Sequence, residues 1–286
     1  MRRFSVLLAV TAIAMALVPS RALAHPSVSV VMDPRGNVFY SDLSKVWMIA
    51  PNGQRSIAVP NVHSHELAID ASGNLYGEHL WYDGKTKKWG HRVWKRAPDG
   101  TITDVIPASE GFLTNYSFVR DSTGTMYWAA RGKTTEIRRR TPDGRITPLA
   151  RGPFRDVRWM TASPGGTLYL IDSGDLKRIP PNGKVENLST RIASRSMLRV
   201  NVDERHSVMG LWLDKSNNLY AAVYGAGEVK RITPSGEVSV VASSRLPWGP
   251  TGGMVAPNGD LYILEASITN AVRLRKISRN GGTRVY

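Results

Sequence analysis

Cysteine is absent from all 286 residues. Disulfides and thiolate-bound metals are therefore excluded, and so is a lipid-anchored bacterial lipoprotein, which needs a cysteine at its processing site. No stretch of ten or more residues keeps a helical period of apolar positions, which argues against an α/β fold. Ser189–Arg199 is the best helix candidate, and a loop over one face is the other reading. No second apolar run of bilayer-spanning length follows the N-terminal one, and no low-complexity linker divides the chain. Nucleophile elbow, phosphate loop and dinucleotide fingerprint are all missing. Acidic side chains are also in short supply, with 23 Asp and Glu against 38 Lys and Arg and a formal charge of +15.

The N-terminus has the form of a secretory leader. Arg2 and Arg3 precede an almost wholly apolar run from Phe4 to Val18, and Ala22-Leu23-Ala24 is an A-x-A cleavage site. The run is shorter than the roughly 20 residues that span a bilayer. Residues 1–24 are thus expected to be removed, leaving a periplasmic or secreted chain with no transmembrane segment. Taking out the three arginines of the leader lowers the charge from +15 to +12. A basic surface favours anionic partners such as polysaccharides, lipid headgroups or cell-wall polymers. Export argues against nucleic acid, and a solvated surface with no specific partner is the plainer alternative. A monomer is expected.

What the remaining sequence contains above all is repetition. One pattern recurs six times: an apolar run, Asp-x-x-Gly or a close variant, an apolar-aromatic pair, a gap, then Pro-x-Gly. Repeat one reads VSVVMDPRGNVFYSD and WMIAPNGQ; repeat five reads MGLWLDKSNNLYAAV and VKRITPSGE. The anchor positions are Asp33, Asp70, Asp121, Ser163, Asp214 and Ala256, spaced by 37 to 51 residues. Asp accepts backbone N–H bonds and Gly supplies a positive φ, so each anchor predicts a tight hairpin turn. The strand after it places an aromatic where neighbouring units pack. The third strand alternates apolar and basic residues, as a half-exposed strand should. Six such units at this spacing predict an all-β, six-bladed β-propeller of four-stranded antiparallel blades over residues 25–286. One blade cannot bury its own two faces, so the last must pack on the first.

Inner strands of a propeller begin at one mouth of the central channel, so residues just before each apolar run converge there. His63-Ser64-His65-Glu66 is the most suggestive of these segments. Alternation puts His63 and His65 on one side of the strand. Two imidazoles and a carboxylate are competent to bind a metal or to act as general acid and base; hydrogen bonding to neighbouring strands is the structural alternative. Asn115 and Tyr116, Arg158 and Trp159, His206, and Trp248 belong to the equivalent segments of later repeats. Together these residues predict a polar, aromatic-edged cup. His65 and His206 are the catalytic candidates. Glu78 and His79 end the second strand of repeat two, in register with Asp42, Asp172 and Glu265. That recurrence predicts carboxylates that cap the turn into strand three. Leu80–His91 reads as an extended hairpin. Its Trp81, Tyr82 and Trp89, with Trp94 beyond it, either stack on flat ligands or pack within the hairpin.

The phrase Pro250–Tyr262 (PTGGMVAPNGDLY) resembles the repeat core of NHL proteins and of the gluconolactonase/senescence-marker-protein family, and similar phrases occur in all six repeats. The resemblance implies the six-bladed fold. Its superfamily includes lactonases, paraoxonase-like esterases, amidating lyases, strictosidine-synthase-like enzymes and binding propellers. The lactonase-like members hold a divalent cation through a Glu, Asn residues and an Asp at inner-strand starts. On this chain the resemblance offers Glu66 for the Glu and Asn115 for an Asn, with His63 and His65 as further ligand candidates, for Ca, Zn or Mn. Met209 and Thr251 stand where the acidic partner is expected. Two functions follow: a module binding a small molecule, glycan or protein at the channel mouth, or a metal-dependent hydrolase or lyase.

Overall fold

Six turns organise the chain, and the anchor residue of each holds it closed. Asp33 accepts hydrogen bonds from the Arg35 and Asn37 backbone N–H groups (3.0 and 2.8 Å) and from the Asn37 side-chain amide (2.7 Å). Asp70 with Asn74 and Asp214 with Asn218 repeat the arrangement. Thr125 replaces the asparagine beside Asp121, and in the fourth repeat the Ser163 hydroxyl accepts from Thr167 N–H. These turns join the first and second strands of each repeat. The computed structural model describes residues 26–111, 118–190, 192 and 207–286, and these form no helix. The expected leader, residues 1–24, and most of Ser189–Arg199 lie outside the described residues.

The strands form six antiparallel sheets, each paired in sequence order. The first contains β1 (Val30–Met32), β2 (Val38–Ser41), β3 (Lys45–Ile49) and β4 (Arg55–Pro60). The second contains β5 (Leu67–Ile69), β6 (Leu75–Asp83), β7 (Lys88–Arg96) and β8 (Ile102–Glu110). In the third, β9 (Met126–Ala130), β10 (Glu136–Arg140) and β11 (Ile146–Arg151) are joined on the inside by residues 119–120, through an Arg120–Met126 bridge and a bond from Tyr127 N–H to the Val119 carbonyl. The fourth contains β12 (Val157–Ala162), β13 (Leu168–Asp172), β14 (Asp175–Ile179) and β15 (Glu186–Ser189). The fifth contains β16 (Gly210–Leu213), β17 (Leu219–Val223), β18 (Glu228–Ile232) and β19 (Val238–Ser243). The sixth contains β20 (Trp248–Val255), β21 (Leu261–Ser267), β22 (Val272–Ile277) and β23 (Thr283–Val285). This is the six-bladed β-propeller that the repeat predicts.

The core lies between blades, not within them. Phe39, Val46 and Val59 of the first blade pack on Leu67, Leu75 and Trp94 of the second. Similar apolar layers join the third blade to the fourth, the fourth to the fifth, and the fifth to the sixth. Between the second and third, the Arg120 guanidinium lies 5.8 Å from the Tyr76 ring centre.

The second-strand aromatic carries a further pattern. Tyr76, Tyr127, Tyr169, Tyr220 and Tyr262 each sit directly across the sheet from a cation: Lys95, Arg139, Arg178, Arg231 and Lys276. The first blade replaces both partners, with Phe39 opposite Met48. Three of the tyrosine hydroxyls donate to their own anchor aspartates, Asp70, Asp121 and Asp214. Burial, reinforced by the Asp214 charge and hydrogen bond, pushes the Tyr220 hydroxyl up to about 12.

The second-strand carboxylates are more varied than simple turn caps. Asp42 does cap its turn, accepting from Ser44 and Lys45 N–H. Asp172 instead accepts from Arg155 and Asp156 N–H at the entry to its blade and pairs with Lys177 at 2.7 Å. Glu265, fully buried, pairs with Arg273 and Arg275 of β22 and accepts from Ser244. A buried carboxylate needs such partners.

The ring closes without a shared blade, because the sixth sheet draws all four strands from the C-terminal segment. Val30, Tyr40 and Ile49 pack on Tyr262, Leu264 and Leu274. At the inner edge Ser29 bridges Gly253, and the Thr251 hydroxyl donates to the Ser27 carbonyl at 2.8 Å. A Cβ on Gly252 would overlap the Val28 backbone. Gly252→Ala should therefore wedge the closing seam and destabilise the fold by about 3 kcal/mol. Gly84→Ala, at an open position on the second-blade hairpin, should change little. Chemical denaturation of the two variants beside wild type checks this.

Candidate functional site

The inner strands begin at one end of the ring and run toward the anchor turns. Residues near the start of each inner strand therefore surround the axis, four places before the anchor in the first, second, fourth and fifth repeats. A cavity of about 180 Å³ occupies that position, and all six blades contribute to its lining, among them Ser29, Glu66, Val119, Trp159, Gly210 and Gly253. It is the central channel. Of the residues singled out from the sequence, Glu66 and Trp159 line it.

His63 and His65 stand at its mouth on the second blade. Their rings meet edge to face with centres 4.7 Å apart, as strand alternation predicts. His65 Nδ1 lies 3.4 Å from Glu78 Oε1, and the His65 carbonyl accepts from Val28 N–H and the Ser27 hydroxyl. The His63 N–H donates to His79 Nδ1 at 2.9 Å. His79 in turn stacks on Trp81, with ring centres 5.3 Å apart. His65, His63, His79 and Trp81 thus form a connected row running onto the hairpin; none of them is in the cavity lining, which they adjoin through Glu66.

That hairpin is the extended β6–β7 pair predicted from Leu80–His91, with Tyr82 opposite Trp89 and Asp83 opposite Lys88. Its aromatics divide between packing and exposure. Trp94 lies against Gly77 and is fully buried, with its indole N–H bonded to the Glu78 carbonyl at 2.9 Å. Trp81 covers Gly90, where any Cβ would overlap its ring. Tyr82 and Trp89 remain exposed at the tip.

Electrostatics separates these groups. Burial lowers the His63 pKa, and the His65 charge adds to it; Glu78 and a hydrogen bond to the Leu43 backbone oppose. Burial and the Arg92 guanidinium lower the His79 pKa, against the pull of Asp104. Both rings therefore favour the neutral form near neutral pH. With Nδ1 accepting from His63, a neutral His79 carries its proton on Nε2. Glu66 moves the other way: burial, with the nearby Glu78 charge, pushes its carboxyl up to about 7, only partly offset by His65.

The remaining predicted residues do not join this group. Arg158 pairs with Asp156 at 2.9 Å and not with Glu66. Trp248 lies under the Arg273 guanidinium, 4.2 Å from its ring centre, on the face of the sixth blade and off the cavity lining. β20 starts eight residues before its anchor, two more than β12 and four or five more than β16, β1 and β5, and Trp248 at its head lies beyond the mouth. Asn115, Tyr116 and His206 lie outside the described residues. Sequence reading assigned Glu78 only a structural part and passed over Arg120 and Trp212, which both line the cavity. Their place just before the anchors Asp121 and Asp214, inside the apolar runs of inner strands, is the signal that could have found them.

The donor set was tested against a divalent ion. Thr251 is fully buried and its hydroxyl is taken by the Ser27 and Leu264 carbonyls; Met209 is buried as well. Among the described residues no three His, Asp or Glu side chains gather so as to hold a metal. The described residues at the mouth thus supply no ligand set for a lactonase-type ion; the other candidates, Asn115 and His206, lie outside them.

No family model matches the sequence, and no curated protein matches it. Solved structures do match in shape. A calcium-binding protein, regucalcin, from Agrobacterium tumefaciens is 17% identical, with a TM-score of 0.54 over 84% of this chain and 82% of its own. A gluconolactonase from Xanthomonas campestris is 12% identical, with a TM-score of 0.54 over 87% and 85%. An auxiliary nutrient binding protein from Bacteroides ovatus is 13% identical, with a TM-score of 0.58 over 92% and 70%. At such identities the likeness is one of fold.

Glu66 makes a linkage prediction. Its folded pKa of about 7 exceeds the unfolded value of 4.5. The folded state then holds the proton more tightly, so its stability is full below 4.5 and falls as pH rises through 7. Glu66→Gln removes this titration. Its stability relative to wild type should rise across that window, by at most about 3 kcal/mol. Urea denaturation of both proteins from pH 4 to pH 8 checks it; parallel curves would show that Glu66 is not coupled to folding.

Proposed function

We propose that this chain is an exported binding propeller that takes a small molecule or glycan at the channel mouth, against the wall built by the second blade. The carrying observation is the continuous row His65, His63, His79 and Trp81, which leads from beside the channel lining at Glu66 onto a hairpin longer than any other in the ring. The imidazoles are engaged by internal contacts, His65 with Glu78 and His79 with the His63 backbone N–H, and no three acidic or imidazole groups gather so as to hold a metal among the described residues, which supports recognition of a polar ring over metal ligation. The nutrient-binding propeller from Bacteroides ovatus supports the same reading by analogy of fold. The leader-like N-terminal sequence supports a periplasmic or secreted location.

The second reading is a divalent-metal-dependent lactonase or related hydrolase. Glu66 favours it, since its carboxyl lines the channel at an inner-strand start. Asn115 and His206 would be its other candidates.

Two measurements separate the readings. Chelator-treated mature protein should show no thermal shift with Ca²⁺, Mn²⁺ or Zn²⁺, because an ion that binds only the native state would raise its melting temperature. A shift of several degrees would move the assignment to the lactonase reading. A small-molecule and glycan panel should yield ligands that Trp81→Ala and His79→Ala each weaken tenfold or more, about 1.4 kcal/mol. Trp248→Ala should leave them unchanged. Equal binding by all three variants would remove the mouth from consideration.

A further inference from the structure

We propose that the central channel itself receives a small organic ammonium group, with its positive charge set against the Glu66 carboxylate. This deepens the binding reading above and rests on it, because the ligand would enter through the same mouth.

The case begins with what Glu66 lacks. Glu66 lines the cavity, and no hydrogen bond or ion pair joins its carboxyl to a described residue. Among the described residues the acids that are buried outright are matched, Asp172 by Lys177 and two backbone N–H groups, Glu265 by two arginines and a serine, and Asp260 by Lys276, whereas Glu66, half-buried at the channel wall, is not. The neighbouring Glu78 is engaged by His65 and adds only repulsion. A carboxylate withdrawn from water without a partner is costly, so its retention in a cavity calls for a partner that arrives from outside.

The rest of the lining selects the kind of partner. Phe118, Trp159 and Trp212 contribute aromatic surface, which favours an organic cation. Trp212 is 8% exposed, and its indole N–H is buried without a hydrogen-bond partner. That donor suits an oxygen on the same ligand. Arg120 also lines the cavity, three residues nearer its anchor turn than Glu66 is to its own. Strand rise places it about 10 Å further along the axis. Its charge directs the cationic group to the Glu66 end. The volume of about 180 Å³ admits a small molecule and not a polymer.

Isothermal titration calorimetry on the mature chain tests this with ethanolamine and choline, beside their neutral counterparts ethylene glycol and 3,3-dimethyl-1-butanol. At least one ammonium should bind tenfold or more tightly than its neutral counterpart. Glu66→Gln should abolish that preference, and Glu66→Asp, which keeps the charge, should weaken binding but retain it. Trp81→Ala should leave the preference intact, so failure of the hairpin wall and failure of the channel site are read separately. An ammonium that binds no better than its counterpart overturns the proposal, and so does a preference that survives in Glu66→Gln with its fold verified by circular dichroism.

Discussion

A single antiparallel sheet with two apolar faces has no stable existence in water; it must be covered on both sides. Here apolar layers lie in five of the seams, and the Arg120 guanidinium meets the Tyr76 ring in the one between the second and third blades. Everything else depends on the seam between the sixth blade and the first. With no cysteine and no strand exchanged between the ends of the chain, that seam is held by packing of Tyr40 and Tyr262 with their neighbours and by the close approach of Gly252 and Gly253 to residues 28 and 29. Glycine is required there because backbone meets backbone at the axis.

Closure also creates the electrostatic character of the channel. Strands converging on an axis exclude water from their leading residues, and burial is the largest influence on His63, His79 and Glu66 alike. The same force acts oppositely on the two residue types. It makes the imidazoles neutral and holds the carboxyl protonated closer to pH 7. The second blade concentrates these groups because its second and third strands run on beyond the mouth.

The repeat was legible because each of its parts has a local physical cause. Asp33 and Asn37 close a turn whatever surrounds them, and the strand after each turn carries its aromatic at a fixed offset, as Tyr220 does after Asp214. The first blade replaces both members of the pair found in the other five, with Phe39 opposite Met48. Residue types and alternation likewise placed His63 beside His65 and brought Glu66 and Trp159 to the axis.

What local pattern left open was the choice among partners that are distant in the chain. Arg158 is a plausible mate for Glu66 by register, yet Asp156 lies two residues away and takes it. Trp248 has the register of a rim residue, yet the early start of β20 lays it under Arg273. Glu78 and Glu265 occupy equivalent positions, one facing a histidine at the mouth and the other buried among arginines. The sequence alone determined the number of blades, the turn chemistry and the identity of the inner strands, because these rest on contacts within about 50 residues. The tertiary structure alone decided which carboxylates are neutralised and which one is left facing the channel, because that depends on groups brought together only when the ring closes.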